Sequence, residues 1–333
     1  MEYSASKERY ENMNYNSCGK SGLKLPEVSL GLWQNFGTHS SFENMQNMCR
    51  AAFDNGIVHF DLANNYGPDR GSAEENFGKI MKGDLVCHRD ELCIATKAGF
   101  TMWDGPYGIW GSKKHMTASL DQSLGRMGLD YVDIFYHHRP DPETPLEETM
   151  GALDQIVKSG KALYIGLSNY DGATMEKASK ILTKLNCPFV INQNRYSIFD
   201  RTIEENGLKD ACKKTGKGII AFSPLAQGML AGRYKDGIPE GSRVTFQRTS
   251  LTKEQAVETQ EKVVKLTALA ESRGQTIAQM ALSWVLADKV VSSVLIGASR
   301  PEQIIENAKI ANQPKLTKSE LAKIDKICGI EKK

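Results

Sequence analysis

Apolar and polar positions along this chain follow two alternating periods. Short runs rich in β-branched and aromatic residues recur at Ser29–Trp33, His59–Ala63, Leu92–Lys97, Val132–His138, Leu163–Ser168, Val190–Asn194, Ile219–Ser223 and Val294–Ala298, and predict eight strands. Between them, sets such as Met45, Met48, Cys49, Ala52 and Phe53, or Met150, Leu153, Ile156 and Val157, place apolar side chains on one face of a helix. Strand and helix therefore alternate, with one unit about every 30–40 residues. Eight such units close most economically as a (β/α)8 barrel, the TIM-barrel class of α/β fold.

The ends depart from this rhythm. Asn14–Cys18 and Leu25–Glu27 flank Gly19-Lys20-Ser21-Gly22, which predicts an N-terminal hairpin closing the barrel floor. The interval before the eighth strand is roughly twice the usual length. It opens with a loop holding Gly228, Gly232, Gly237 and Gly241, then carries helical patterns over Glu254–Arg273 and Thr276–Leu286. Thr317 with Glu320 forms a capping box for an extra C-terminal helix reaching about Ile327. With no linker or repeat, residues 1–333 read as one barrel domain.

Composition narrows the function classes. A net charge of +2 with 25% charged residues gives no reason to expect nucleic acid as a partner. No apolar run is long enough for a membrane span, and Met1–Asn16 lacks the apolar centre of a signal peptide, so a cytoplasmic location is expected. The seven cysteines are scattered, with no spacing that suits zinc, and no metal is expected. The oligomeric state, including a homo-oligomer, is left open.

Chemistry appears where the strands end. In a barrel of this kind the site lies at the C-terminal ends of the strands, and there fall Trp33, Asp61, Lys97, His138, Ser168 with Asn169, Gln193, Ser223 and Ser299. Each alone has a plain explanation: Asp61 as a helix cap, Lys97 as a solvated strand end, Tyr66 as cover for the barrel rim. Strand alternation points only one of His137 and His138 inward. Together, Asp61, Tyr66, Lys97 and His138 form a proton-transfer set. The phenol is the acid, the ammonium lowers its pKa, the carboxylate holds the ammonium, and the imidazole orients a carbonyl.

That set, with Leu30-Gly31-Leu32-Trp33, Thr96-Lys97, His138-Arg139-Pro140, Gly166-Leu167-Ser168-Asn169, Asn192-Gln193, Phe222-Ser223-Pro224-Leu225 and Ile296-Gly297-Ala298-Ser299, resembles the aldo-keto reductases over nearly the whole chain. Leu62–Pro68, Gly71–Gly78 and Met102–Gly108 are similar to the branch of bacterial L-glyceraldehyde-3-phosphate reductases, next to the potassium-channel β-subunits, which have Asn at the position of His138. The resemblance implies NADPH-dependent reduction of small aldehydes, with L-glyceraldehyde 3-phosphate and methylglyoxal-like compounds as substrates. Two other readings remain: a cofactor-bound redox-sensing subunit of the channel β type, and a lyase or isomerase forming a Schiff base on Lys97.

The same resemblance assigns Tyr66, Asp61, Lys97 and His138 to catalysis, and Trp33, Tyr66, Trp103 and His138 to the substrate. For NADP(H) it implies Trp33, Asp61, Ser168, Asn169 and Gln193 around the nicotinamide, with Phe222 or Tyr196 stacking nearby. Ser223, Pro224, Leu225, Gly228, Arg233 and Tyr234 would cover the pyrophosphate, Ser299, Gln303, Glu306 and Asn307 the adenosine end, and Arg243 the 2′-phosphate. Many family members carry a basic residue where this chain has Gln303. Trp103, Tyr107 and Trp110 suggest an apolar wall for the substrate. Arg70, Arg139 and His39 are candidates for a substrate phosphate, and no spacing argument selects among them.

Overall fold

The computed structural model describes residues 3–232 and 253–330. Its strands are β1 (Tyr15–Ser17), β2 (Lys24–Pro26), β3 (Val28–Gly31), β4 (His59–Asp61), β5 (Cys93–Ala98), β6 (Val132–His137), β7 (Ala162–Ser168), β8 (Phe189–Arg195), β9 (Gly218–Phe222) and β10 (Val291–Ile296). Strands β3 to β10 pair in parallel and close into a barrel, β10 bonding to both β9 and β3. Eight parallel strands in this order establish the (β/α)8 fold, and β1 and β2 form the antiparallel hairpin expected ahead of it. The hairpin plugs one end: Cys18 and Leu25 are fully buried in the cluster that also holds Cys93, Ile134, Ile191 and Ile220.

The helices are α1 (Phe42–Asp54), α2 (Ser72–Ile80), α3 (Lys113–Met127), α4 (Leu146–Lys158), α5 (Gly172–Lys184), α6 (Thr202–Glu205), α7 (Leu208–Thr215), α8 (Lys253–Ser272), α9 (Ile277–Val285), α10 (Pro301–Ala308) and α11 (Lys318–Cys328). In α1 the buried residues are Met45, Met48, Cys49, Ala52 and Phe53, the stripe read from the sequence. Both α9 and α11 start with capping boxes, Thr276 with Gln279 and Thr317 with Glu320, satisfying N-terminal amides that a helix cannot bond internally. No helix among the described residues is long and apolar enough to cross a membrane.

The eighth barrel strand begins at Val291, ahead of the expected Val294. Its serines conceal it. Ser293 Oγ lies 2.6 Å from Ser29 Oγ, which lies 2.9 Å from His59 Nδ1, so three polar side chains share a buried layer inside the barrel. A hydrogen-bonded polar group can be buried at little cost, and here an interior strand carries serine where a hydrophobic residue would announce it.

Candidate active site

At the C-terminal ends of β4 and β5, alternation turns Asp61 and Lys97 into the barrel. Both side chains are fully buried and bond to each other. Lys97 Nζ also donates to Leu62 O at 2.8 Å and lies 3.3 Å from the Tyr66 hydroxyl. Tyr66 reaches that point because the chain turns directly after β4, with Tyr66 N donating to Ala63 O. Gly67 completes the turn at φ 90°, where a Cβ would lie 2.2 Å from Ser72 Oγ. Asp61 is braced from across the barrel by Gln193 Nε2, which donates to Asp61 Oδ1 at 2.9 Å.

His138 completes the group. Its ring meets Tyr66 edge-on at 5.8 Å between centroids and Phe100 at 4.6 Å. His137 is directed elsewhere, with Nδ1 2.7 Å from the Tyr170 hydroxyl. Above Tyr66 stands Trp33, 50% exposed despite its size and 6.3 Å away between centroids. An exposed tryptophan over an ionisable cluster is the arrangement expected at a ligand-receiving surface.

Burial dominates the electrostatics. It pulls Lys97 below the ordinary lysine value against the Asp61 carboxylate, which pulls the other way. Burial, then the Lys97 charge, push His138 well below the usual histidine range, so its imidazole is neutral near pH 7. Tyr66 departs from expectation. Its hydroxyl lies beside Lys97, yet burial, and after it the nearby Asp61 charge, raise its pKa well above 10. The phenol is therefore protonated before reaction.

The remaining predicted positions line the rim. Ser168 is buried at the end of β7, and the exposed Asn169 holds a left-handed backbone at φ 60° with Nδ2 donating to His138 O at 2.9 Å. Phe222 is half-buried at the end of β9, whereas Tyr196 packs on Trp284 and donates to Glu204, which leaves Phe222 as the ring at the rim. In the turn from Ser223 through Pro224 and Leu225 to Gly228, Ser223, Ala226, Gln227 and Gly228 all have positive φ. Such local strain collects at ligand sites, and a Cβ on Gly228 would meet nothing within 4 Å among the described residues. Gln303 accepts from Ser299 N at 2.8 Å, and Glu306 and Asn307 follow on α10, with Asn307 buried. These residues fit a dinucleotide laid across the rim. Arg233, Tyr234 and Arg243 lie outside the described residues.

The three aromatics expected to wall the substrate have different neighbours. Trp103 packs on His115, Tyr107 lies beneath the Lys114 ammonium, and Trp110 packs on the Arg139 guanidinium. Phe100, between His138 and Arg139, was not legible as a site residue, since an aromatic just beyond a strand carries no distinguishing signal. The Gln193 contact with Asp61 joins residues 132 apart, beyond any local pattern.

A barrel with a buried carboxylate and lysine bonded beside a half-buried tyrosine at its strand ends is the arrangement of an oxidoreductase of the (β/α)8 type. Residues 27–328 match the Aldo/keto reductase family, and the chain belongs to it. Aldo-keto reductases generally use a nicotinamide cofactor. Among curated relatives, the L-glyceraldehyde 3-phosphate reductases of Escherichia coli O157:H7 and K12 are each 51% identical over 329 residues, covering 98% of this chain and 95% of theirs. A putative voltage-gated potassium channel subunit beta of Schizosaccharomyces pombe is 39% identical over 328 residues, covering 95% of this chain and 94% of its own. A crystal structure of a thermostable aldo-keto reductase bound to the inhibitor epalrestat superimposes with TM-score 0.74 at 31% identity, covering 95% of this chain and all of that one.

Proposed function

We propose that this protein, acting as a single domain over residues 1–333, uses NADPH to reduce small aldehydes to alcohols, with L-glyceraldehyde 3-phosphate and methylglyoxal-like compounds among its substrates. The observation carrying this reading is the buried Asp61–Lys97–Tyr66 chain facing the neutral His138. A nicotinamide held at this rim would supply hydride to the carbonyl carbon. Tyr66, protonated by virtue of its burial, gives its proton to the carbonyl oxygen. Lys97 then stands 3.3 Å from the phenolate oxygen and offsets its charge, while Asp61, held by Gln193, keeps Lys97 in place. His138 donates an N–H to the same oxygen and fixes the direction of approach.

Ser168, Asn169, Gln193 and Phe222 would hold the nicotinamide end, Ser223–Gly228 the pyrophosphate, and Ser299, Gln303, Glu306 and Asn307 the adenosine. The choice of NADPH rests on Arg243 by family resemblance, and the phosphotriose on the name of the E. coli relatives. A Schiff base on Lys97 is disfavoured because its ammonium already faces Asp61, Leu62 O and Tyr66. The test is initial-rate oxidation of NADPH and NADH over an aldehyde panel. Oxidation of NADPH faster than NADH, with L-glyceraldehyde 3-phosphate preferred over D,L-glyceraldehyde, is expected. No aldehyde-dependent oxidation of either cofactor would remove the reductase reading.

A further inference from the structure

Three cations were candidates for a substrate phosphate, and their surroundings differ. Arg70 and His39 are exposed on loops. Arg139, which directly follows His138 beyond the end of β6, is half-buried, its Cζ 4.1 Å from the Phe100 ring centre and 3.9 Å from that of Trp110. Its Nε donates to Gly99 O at 3.3 Å, the same carbonyl that accepts from Trp110 N, so the guanidinium packs against two rings and is bonded along one edge. Its Nη atoms have no hydrogen-bond partner and no ion pair among the described residues. Asp141 lies close enough to affect it, but its oxygens accept from the amides of Gly111, Glu143 and Thr144.

A guanidinium packed against two aromatic rings, partly desolvated and with two donor nitrogens unpaired among the described residues, is prepared for an anion that binds in a fork. Phe100 sets its distance from the chemistry, because that ring also packs on His138. We infer that Arg139 is the anion-binding group of the substrate site, taking the phosphomonoester of a short phosphorylated aldehyde whose carbonyl lies between Tyr66 and His138. This rests on the reductase reading above. It makes Arg139 a specificity residue: the phosphate supplies binding energy remote from the reacting carbon, which can be used to orient the carbonyl.

Arg139→Met keeps an unbranched side chain against Phe100 and Trp110 while removing the charge. Two measurements at saturating NADPH test the proposal. The first is the ratio of kcat/KM for L-glyceraldehyde 3-phosphate over that for D,L-glyceraldehyde. It is expected to fall about 10- to 100-fold in Arg139→Met, the loss of charge-assisted hydrogen bonds, and to recover in part in Arg139→Lys. The second is inhibition of D,L-glyceraldehyde reduction by inorganic phosphate, competitive with aldehyde, which should be present in the wild type and lost in Arg139→Met. The phosphate arm needs no phosphorylated substrate, so it reads the Arg139 site even if the phosphotriose is not the preferred substrate. An unchanged ratio, or phosphate inhibition that is absent from the wild type or survives in the variant, would overturn the assignment. A parallel fall for both aldehydes would reduce Arg139 to a packing residue.

Discussion

Tyr66 is chemically prepared by what surrounds it more than by its own type. Its hydroxyl has Lys97 Nζ at 3.3 Å, whereas Lys97 Nζ lies 5.7 Å from the ring centre of the fully buried Tyr136. Tyr66→Phe removes one oxygen and leaves the ring against Trp33 and His138. Steady-state rates should therefore fall about 10²–10⁴-fold, the usual worth of one acid–base group, while NADPH titration by fluorescence gives a nearly unchanged Kd. Retention of the wild-type kcat would assign proton delivery to another group. At this scale the sequence was informative in kind and silent on state. The types and order of the four residues pointed to the chemistry proposed above, but the direction of the Tyr66 shift depends on burial and on where Asp61 points, and neither is local to the chain.

Among the elements, the strands were legible because parallel barrel strands are buried on both faces and read as apolar runs. The exceptions follow from the same rule. β10 hides its start behind Ser292 and Ser293, and the layer of Ser29, Ser293 and His59 is polar because its members bond to each other. In the sequence only the resemblance, through the Arg139-Pro140 that follows, selects His138 over His137; in the fold the pleat sends successive side chains to opposite faces, and His137 turns to Tyr170. Packing between β6 and β7 gives a sharper test. Tyr136 fills the barrel interior only because β7 carries Gly166 opposite it, where a Cβ would lie 2.2 Å from the ring. Gly166→Ala should lower stability by about 1–3 kcal/mol or more, as overpacked cores do, and displace the ring that lies 5.7 Å from Lys97 Nζ. Urea unfolding reads the first effect; an unchanged midpoint would mean that the two strands can part without penalty.

For the whole molecule, buried histidines couple folding to pH. Burial lowers His59 and His137 to about 4, and both are neutral in the fold. In the unfolded chain they titrate near 6.5, so between pH 6.5 and 4 the unfolded state binds more protons and stability falls as pH falls. Each group contributes roughly 3 kcal/mol once the window is crossed. Urea midpoints should drop from pH 7.5 to pH 5, where most carboxylates are still ionised, and drop less in His59→Asn; a flat profile for the wild type would contradict neutral burial. The bond between Gln193 and Asp61 has a different consequence. β4 and β8 stand opposite each other in the eight-strand ring, so the bond spans the diameter of the barrel. It acts as a tie-rod that sets the floor of the mouth. Substrates cannot be accommodated by deepening the cavity without cutting the support of Lys97, so change of specificity in this scaffold has to come from the loops above, and variation introduced below that chord would disable the enzyme before it redirected it.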